Sequence, residues 1–146
     1  MGELFAVVSG KGGTGKTSVC AALATALAKE GKRVLCIDCD VGLRNLDISL
    51  GLSECGALSF WDVSEGGYSL EDAFRHPVYP TLAFLTAPMN CPVEKIDDAA
   101  FREMLARARQ LHDYVFLDAP AGVDAGFRLA AQFADRLLLV TGAGPA

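Results

Sequence analysis

The sequence contains no run of about 18 or more apolar residues, and it opens without the basic segment and cleavage site of a secretion signal. We therefore expect neither a membrane-spanning helix nor export, and a cytoplasmic location. Positive charge is also scarce, because 13 lysines and arginines stand against 18 aspartates and glutamates, for a net charge of −5. Since nucleic-acid binding depends on cationic side chains that displace counterions, we expect no nucleic-acid partner.

Cysteine and histidine give little sign of a metal centre or a disulfide framework. The five cysteines are an odd number, which favours reduced thiols. Cys36 and Cys39 form a C-x-x-C pair, but a redox pair of that spacing normally sits at a helix N-terminus, whereas Cys36 falls inside a predicted strand. His76 and His112 stand alone in the sequence, and we expect both at the surface.

The remaining composition indicates one globular domain over residues 1–146, because 51% of the residues are apolar and no repeat or linker interrupts them. Apolar runs and helical patterns alternate along the chain. Strands are predicted over 4–9, 33–38, 82–87, 114–118 and 136–141, and helices over 16–30, 43–50, 58–64, 70–76, 98–112 and 124–134. This alternation predicts an α/β fold with an open, mostly parallel sheet and helices on both of its faces.

The last predicted strand contains an unbroken apolar run, Leu137, Leu138, Leu139 and Val140. Such a strand is typical of the centre of a parallel sheet, where both faces are covered. Only residues 141–146 come after this apolar run. We therefore expect the sequence to be the N-terminal portion of a larger fold, truncated at its C-terminal side.

The most informative run of the chain, GKGGTGKT over 10–17, fits the pattern of a glycine, four residues, a glycine, a lysine and a serine or threonine. Its glycines let backbone N–H groups turn inward around phosphate oxygens. A predicted strand precedes the run and a predicted helix follows it, so the N-terminus of that helix would face the phosphates. The alternative is a tight glycine turn that binds no ligand.

We therefore predict a nucleoside triphosphate site, with Lys16 at the β- and γ-phosphates and the Thr17 hydroxyl on Mg²⁺. The predicted cofactor-binding residues are Gly10, Lys11, Gly12, Gly13, Thr14, Gly15, Lys16, Thr17 and Ser18.

Acidic residues close two of the predicted strands, at the edge where an open parallel sheet binds its ligands. Asp38 and Asp40 end the second strand, and Asp118 ends the strand over 114–118. Each of them alone fits a helix N-cap or a turn. Beside a phosphate loop they are typical of a site for Mg²⁺, an ion that keeps much of its water shell. We predict Thr17, Asp38 and Asp118 as the metal-site residues.

Three motifs together resemble one family, the MinD/ParA ATPases with a deviant Walker A loop. KGGTGKT over 11–17 resembles their phosphate loop, which carries an additional lysine at Lys11. DCDVGLRNLD over 38–47 resembles their first switch segment, and DAPAG over 118–122 their second. GLRNLD over 42–47 favours the MinD branch, the septum-site-determining ATPases, over the partition ATPases and flagellar-number regulators.

The resemblance implies a slow, partner-stimulated ATPase that requires ATP and Mg²⁺ and works as a dimerisation switch in division-site placement. It implies that Lys11 reaches across an ATP-dependent homodimer to the phosphates of the partner subunit. Lys16 and Thr17 then hold the nucleotide and the metal within one subunit. Asp40 positions the attacking water, and Asp118 supports the metal. Lys11, Lys16 and Asp40 are thus the expected catalytic residues.

Further expected partners are a division-inhibitor protein and an ATPase activator. The adenine-contacting residues of the family lie in a C-terminal portion without a counterpart here, so the base is left open. The family's membrane-binding amphipathic helix also has no counterpart, so this chain does not support a membrane contact, which would require a C-terminal tail that is not present here. Lys11 as a solvated loop cation remains an alternative, as do a non-hydrolysing interaction module and a DNA-segregation ATPase.

Overall fold

The computed structural model describes residues 2–9, 16–40, 58–88, 95–120 and 125–140. Its strands are β1 (Glu3–Val8), β2 (Val34–Asp38), β3 (Phe74–Arg75), β4 (Leu82–Leu85), β5 (Tyr114–Asp118) and β6 (Arg136–Leu139). Its helices are α1 (Lys16–Lys29), α2 (Phe60–Ser64), α3 (Asp98–Leu111) and α4 (Ala125–Ala131), with a 3₁₀ helix over Leu70–Asp72. The predicted helix over 43–50 lies outside the described residues.

The described strands form one six-stranded sheet in the order β3-β4-β2-β5-β1-β6. Every pair is parallel except the one between β3 and β4. β2 and β4 are buried at every position, as expected for parallel strands covered on both faces. The predicted α/β fold with an open, mostly parallel sheet is therefore confirmed.

Helices pack against both faces of this sheet. On one face, Phe60 of α2 and Phe101 of α3 meet edge to face, with ring centroids 5.3 Å apart, in a core that also contains Leu129 of α4. On the other face, α1 buries Cys20 and Ala24 against the sheet. α1 ends where Gly31 adopts a φ of 84°, a left-handed conformation that favours glycine after a helix. No helix among the described residues combines the length and apolarity needed to cross a bilayer.

The predicted helix over 70–76 is wrong in its second half. The 3₁₀ helix stops at Asp72, and Ala73 is extended, with φ −58° and ψ 144°. Phe74 and Arg75 then pair antiparallel with β4. The short helical turn is stabilised locally by Ser69, whose side chain accepts a hydrogen bond from the backbone N–H of Glu71. The strand that follows depends on a partner elsewhere in the chain.

The expectation of a surface position is also wrong for His112, which is only 8% exposed. The residue follows Ala108 by four positions, so it continues the buried face of α3 by one turn. Its Nδ1 lies 2.9 Å from the main-chain oxygen of Ala108. Burial lowers the pKa of His112, because it disfavours the charged imidazole.

β6 lies at the edge of the described sheet and pairs with β1. Leu137 is 53% exposed and Leu139 68% exposed, whereas Leu138 is half-buried on the face covered by α1. Asp135, just before β6, joins the strand to the beginning of β1, because its Oδ2 accepts a hydrogen bond of 2.9 Å from the backbone N–H of Leu4. The apolar run predicted at this strand thus forms an edge with two exposed leucines.

Candidate functional site

Three neighbouring strands bring the predicted site together at one edge of the sheet. β2, β5 and β1 are adjacent and parallel, so their carboxyl ends lie side by side. In the register of these strands, Asp38 lies opposite Asp118, which in turn lies opposite Val7. The phosphate-loop sequence begins at Gly10, with only Ser9 between it and β1, and α1 begins at Lys16. This is the edge at which an open parallel sheet binds ligands.

Asp38 and Asp118 are both buried, each with 1% of its surface exposed. Because they face each other in register on adjacent parallel strands, their side chains project from the same face of the sheet. A buried carboxylate is unfavourable unless it is paired, hydrogen-bonded or bound to a metal, and two neighbouring carboxylates also repel each other. The pair therefore suits a divalent cation with oxygen ligands, such as Mg²⁺.

These two carboxylates do not make a complete metal centre. Across the described ranges, no group of three or more His, Cys, Asp or Glu side chains is placed to hold a metal ion. A cation beside Asp38 and Asp118 therefore needs additional oxygen donors. Mg²⁺ commonly takes them from water and from the phosphates of a substrate.

Asp40 lies where the chain leaves the sheet. The backbone N–H of Cys39 still donates to the main-chain oxygen of Asp118, at 3.0 Å, and so extends the ladder by one residue. The next backbone N–H, that of Asp40, donates at 2.9 Å to Oδ1 of Asp38. Asp40 is partly exposed, whereas Asp38 is buried. The backbone of Asp40 is thus held beside the carboxylate pair.

The two thiols of the C-x-x-C pair lie on opposite sides of the sheet. Cys36 belongs to the core covered by α1, and Cys39 belongs to the core that contains α3. Neither is in a disulfide, and both are fully buried. A redox pair needs two neighbouring sulfurs of which one is accessible, so this arrangement does not suit one.

Much of the predicted phosphate site falls outside the residues that the structure describes. This holds for Gly10, Lys11, Gly12, Gly13, Thr14 and Gly15. Lys16 and Thr17 begin α1, but their side chains are not described, and Ser18 is exposed in the first turn. Of the predicted site, the structure brings together Asp38, Asp40 and Asp118. The roles of all these residues remain predictions.

Two buried polar residues at the same edge were not singled out from the sequence. Ser9 follows β1 and is 3% exposed, and Thr86 follows β4 and is 5% exposed. Thr86 forms an isolated parallel bridge with Ser59, which attaches the N-cap of α2 to the end of β4. The sequence signal that could have identified Ser9 and Thr86 is a small polar residue directly after an apolar strand.

Comparison with known proteins agrees with this arrangement. A family model described as the CobQ/CobB/MinD/ParA nucleotide binding domain matches residues 5–138. The septum site-determining protein MinD of Thermotoga maritima is 40% identical over 142 residues, which cover 97% of this chain and 52% of that protein. The chain thus spans about half the length of the curated relatives it matches.

Several solved structures of MinD proteins are similar to this chain. A chain of the MinC:MinD cell division protein complex of Aquifex aeolicus matches with a TM-score of 0.82 and 37% identity, over 94% of this chain and 55% of that one. The septum site-determining protein MinD of Pyrococcus horikoshii, complexed with Mg-ADP, matches with a TM-score of 0.81 and 32% identity, over 97% and 58%. Since the family model spans most of the chain and the sheet agrees with these folds, the chain belongs to the CobQ/CobB/MinD/ParA family of nucleotide-binding domains.

Proposed function

We propose that this chain is a MinD-like ATPase that binds Mg-ATP, dimerises with ATP bound, and hydrolyses it slowly as a switch in division-site placement. The observation that carries the proposal is the buried pair of Asp38 and Asp118, in register at the edge where β1 leads into the phosphate-loop sequence. The similarity to MinD proteins, one of them complexed with Mg-ADP, supports the same assignment.

Residues Gly10 to Ser18 bind the phosphates in this proposal, through backbone N–H groups at the N-terminus of α1. Lys16 neutralises the β- and γ-phosphates, and the Thr17 hydroxyl is a direct ligand of the metal. Asp38 and Asp118 hold it through water molecules. Mg²⁺ itself supplies charge neutralisation at the phosphate oxygens.

Asp40 orients the attacking water in this proposal. The hydrogen bond from the Asp40 backbone N–H to Asp38 supports that role. This bond limits how far the Asp40 carboxylate can move from the edge of the sheet where the metal would bind. Phosphoryl transfer requires little covalent chemistry from the protein, so positioning and charge neutralisation account for most of the rate. Lys11 adds positive charge from the second subunit, close to the γ-phosphate.

The partners of this switch are a second copy of the chain, a division-inhibitor protein and an activator of ATP hydrolysis. The solved MinC:MinD cell division protein complex of Aquifex aeolicus supports a second cell-division protein as a partner. A DNA-segregation ATPase of the same family is the less favoured function, because the net charge of −5 disfavours a nucleic-acid partner.

A second candidate is an interaction module that binds nucleotide without hydrolysing it. The observation in its favour is that the matching family model describes a nucleotide binding domain and does not name hydrolysis. ATP binding and phosphate release therefore have to be measured separately.

Calorimetric titration with Mg-ATP tests the proposal on three proteins: wild type, Lys16→Ala and Lys29→Ala. Lys29→Ala is a matched control, because it removes the same charge at the opposite end of the same helix. We expect the wild type and Lys29→Ala to bind and Lys16→Ala not to bind. A folded wild type that binds no nucleotide refutes the proposal, whereas binding without phosphate release favours the interaction module.

A further inference from the structure

A groove of about 310 Å³ lies between the end of α2, the loop that leads to the 3₁₀ helix, and the middle of α3. We call it the α2–α3 groove. Its walls include Val63 of α2, Tyr68 and Leu70 of the loop, and Glu103 and Met104 of α3. None of the residues that line it belongs to the candidate nucleotide site, so its use is a separate question.

The base of the α2–α3 groove is apolar. Leu70 is 6% exposed, Met104 is 5% exposed, and Val63 is half-buried. Tyr68 stands beside them with 53% of its surface exposed. Exposed tyrosines next to an apolar depression are typical of residues that contribute strongly to protein–protein binding. The volume suits one or two side chains of a linear segment.

Local contacts hold the walls of the groove in place. Ser59 and Asp62 form a capping box at the start of α2, with 3.0 Å between the Ser59 backbone nitrogen and Oδ2 of Asp62. Gly66, with a φ of 85°, turns the chain out of α2. Arg107 of α3 and Glu71 of the 3₁₀ helix form an ion pair of 2.9 Å that connects two of the walls. A preformed groove loses less conformational freedom when a partner binds.

The charge of the α2–α3 groove is negative. Residues 60–72 include Asp62, Glu65, Glu71 and Asp72 but no lysine, arginine or histidine. Arg107 is paired with Glu71, and Glu103 forms no ion pair within the described part of the chain. A complementary segment therefore carries positive charge.

We propose that the α2–α3 groove docks a partner protein through a linear segment in which an apolar side chain is followed or preceded by a lysine or arginine. The apolar side chain lies against Leu70 and Met104, under the ring of Tyr68. The cationic side chain lies against Glu103. This interaction goes beyond the proposed nucleotide switch, because it uses none of the residues assigned to ATP.

Random twelve-residue peptides displayed on phage, selected against the folded chain, provide a probe that assumes no particular partner. We expect the selected peptides to combine an apolar residue with a neighbouring lysine or arginine. Their synthetic forms can be titrated by fluorescence, because Trp61 is the only tryptophan of the chain and is partly exposed on α2. Circular dichroism of each variant verifies that it is folded.

Two substitutions locate the binding. Tyr68→Ala should weaken it by about tenfold or more, as expected for a central aromatic contact. Glu103→Lys should weaken it by about three- to tenfold, because an attraction at a partly exposed position becomes a repulsion. Glu30→Lys is the matched control, since it reverses one exposed acidic residue outside the groove and should leave the affinity unchanged.

Several results would overturn the proposal. These are an absence of selected peptides, a selection for acidic peptides, or an affinity that Tyr68→Ala and Glu103→Lys both leave unchanged. If light scattering instead shows a dimer that dissociates in Tyr68→Ala, a second copy occupies the groove and a separate partner protein is the wrong assignment.

Discussion

Asp135 should contribute about 2 kcal/mol to the free energy of unfolding, and Asp135→Ala tests this value. The Oδ2 atom of Asp135 accepts a hydrogen bond of 2.9 Å from the backbone N–H of Leu4, a residue that is only 1% exposed. Removing the acceptor leaves that N–H buried without a partner, at a cost of about 1 to 2 kcal/mol. Asp135 also pairs with Arg109 at 2.7 Å, but the carboxylate is 38% exposed, so this pair adds about 0.5 kcal/mol.

Asp113→Ala is a matched control for this substitution. Asp113 makes the same two kinds of contact, a hydrogen bond of 2.8 Å from the backbone N–H of Arg33 and an ion pair of 3.2 Å with its side chain. Arg33 is exposed, however, so water can replace the lost acceptor. We therefore expect a clearly smaller loss of stability from Asp113→Ala.

Urea unfolding followed by circular dichroism measures both losses. With an m-value of about 2 kcal/mol per molar urea, the midpoint of Asp135→Ala should fall by about 1 M. Equal losses in Asp135→Ala and Asp113→Ala would refute the reasoning, because burial of the donor would then not decide the cost. So would an unchanged midpoint in Asp135→Ala.

The same carboxylate makes a prediction about pH. The Arg109 guanidinium and the backbone N–H of Leu4 hold the pKa of Asp135 below its ordinary value of 3.8. Because the pKa is lower in the folded state than in the unfolded state, the carboxylate stabilises the fold when the pH is above the ordinary pKa. This contribution is lost as the pH falls through the folded-state pKa. The difference between wild type and Asp135→Ala should therefore shrink below about pH 4. A difference that stays constant down to pH 2 would contradict this assignment.

Three further predictions concern the proposed active site and the start of β1. Asp40→Ala should still bind Mg-ATP while phosphate release falls by about two to four orders of magnitude, and unchanged release would remove Asp40 from the catalytic residues. In a form extended to the length of the relatives, Lys11→Ala should bind ATP as a monomer and dimerise roughly tenfold to a hundredfold more weakly, a loss of about 1.5 to 3 kcal/mol. Light scattering with a slowly hydrolysed ATP analogue measures this, and equal dimer formation would exclude a role for Lys11 across the interface. Gly2→Ala should lower the urea midpoint, because a Cβ at this position collides with the main-chain oxygen of His112. Gly67→Ala is the control and should leave the midpoint unchanged, because a Cβ there makes only ordinary contacts. Equal midpoints for the two variants would contradict this prediction.

The strands of the site could be predicted from the sequence because each carries its own local signal. β2 and β5 are apolar runs that end in Asp38 and Asp118, and parallel strands collect their carboxyl ends at one edge. The alternation of elements does not reveal which strands are neighbours. That Asp38 lies directly opposite Asp118 follows only from the strand order.

Other features depend on contacts between distant parts of the chain, and these carry no local signal. β3 has only two residues and exists through its pairing with β4. Because two residues are too few to show a strand pattern, the surrounding sequence favours a helix. The contact between Leu4 and Asp135 spans 131 positions of the sequence. The burial of His112 depends on how α3 packs, and a polar residue at the end of a helix usually indicates exposure.

The strand order also determines when the sheet can form during synthesis of the chain. Of the described strands β1 is made first, yet its neighbours among them are β5 and β6, which come more than a hundred residues later. β2 can pair with β4 as soon as residue 85 has left the ribosome, whereas none of the described strands can pair with β1 until β5 emerges. An apolar first strand that waits this long depends on α1 or a chaperone to cover it. The nascent chain should therefore gain most of its protection from proteases in one late step, when residues 114–118 join β1 to β2.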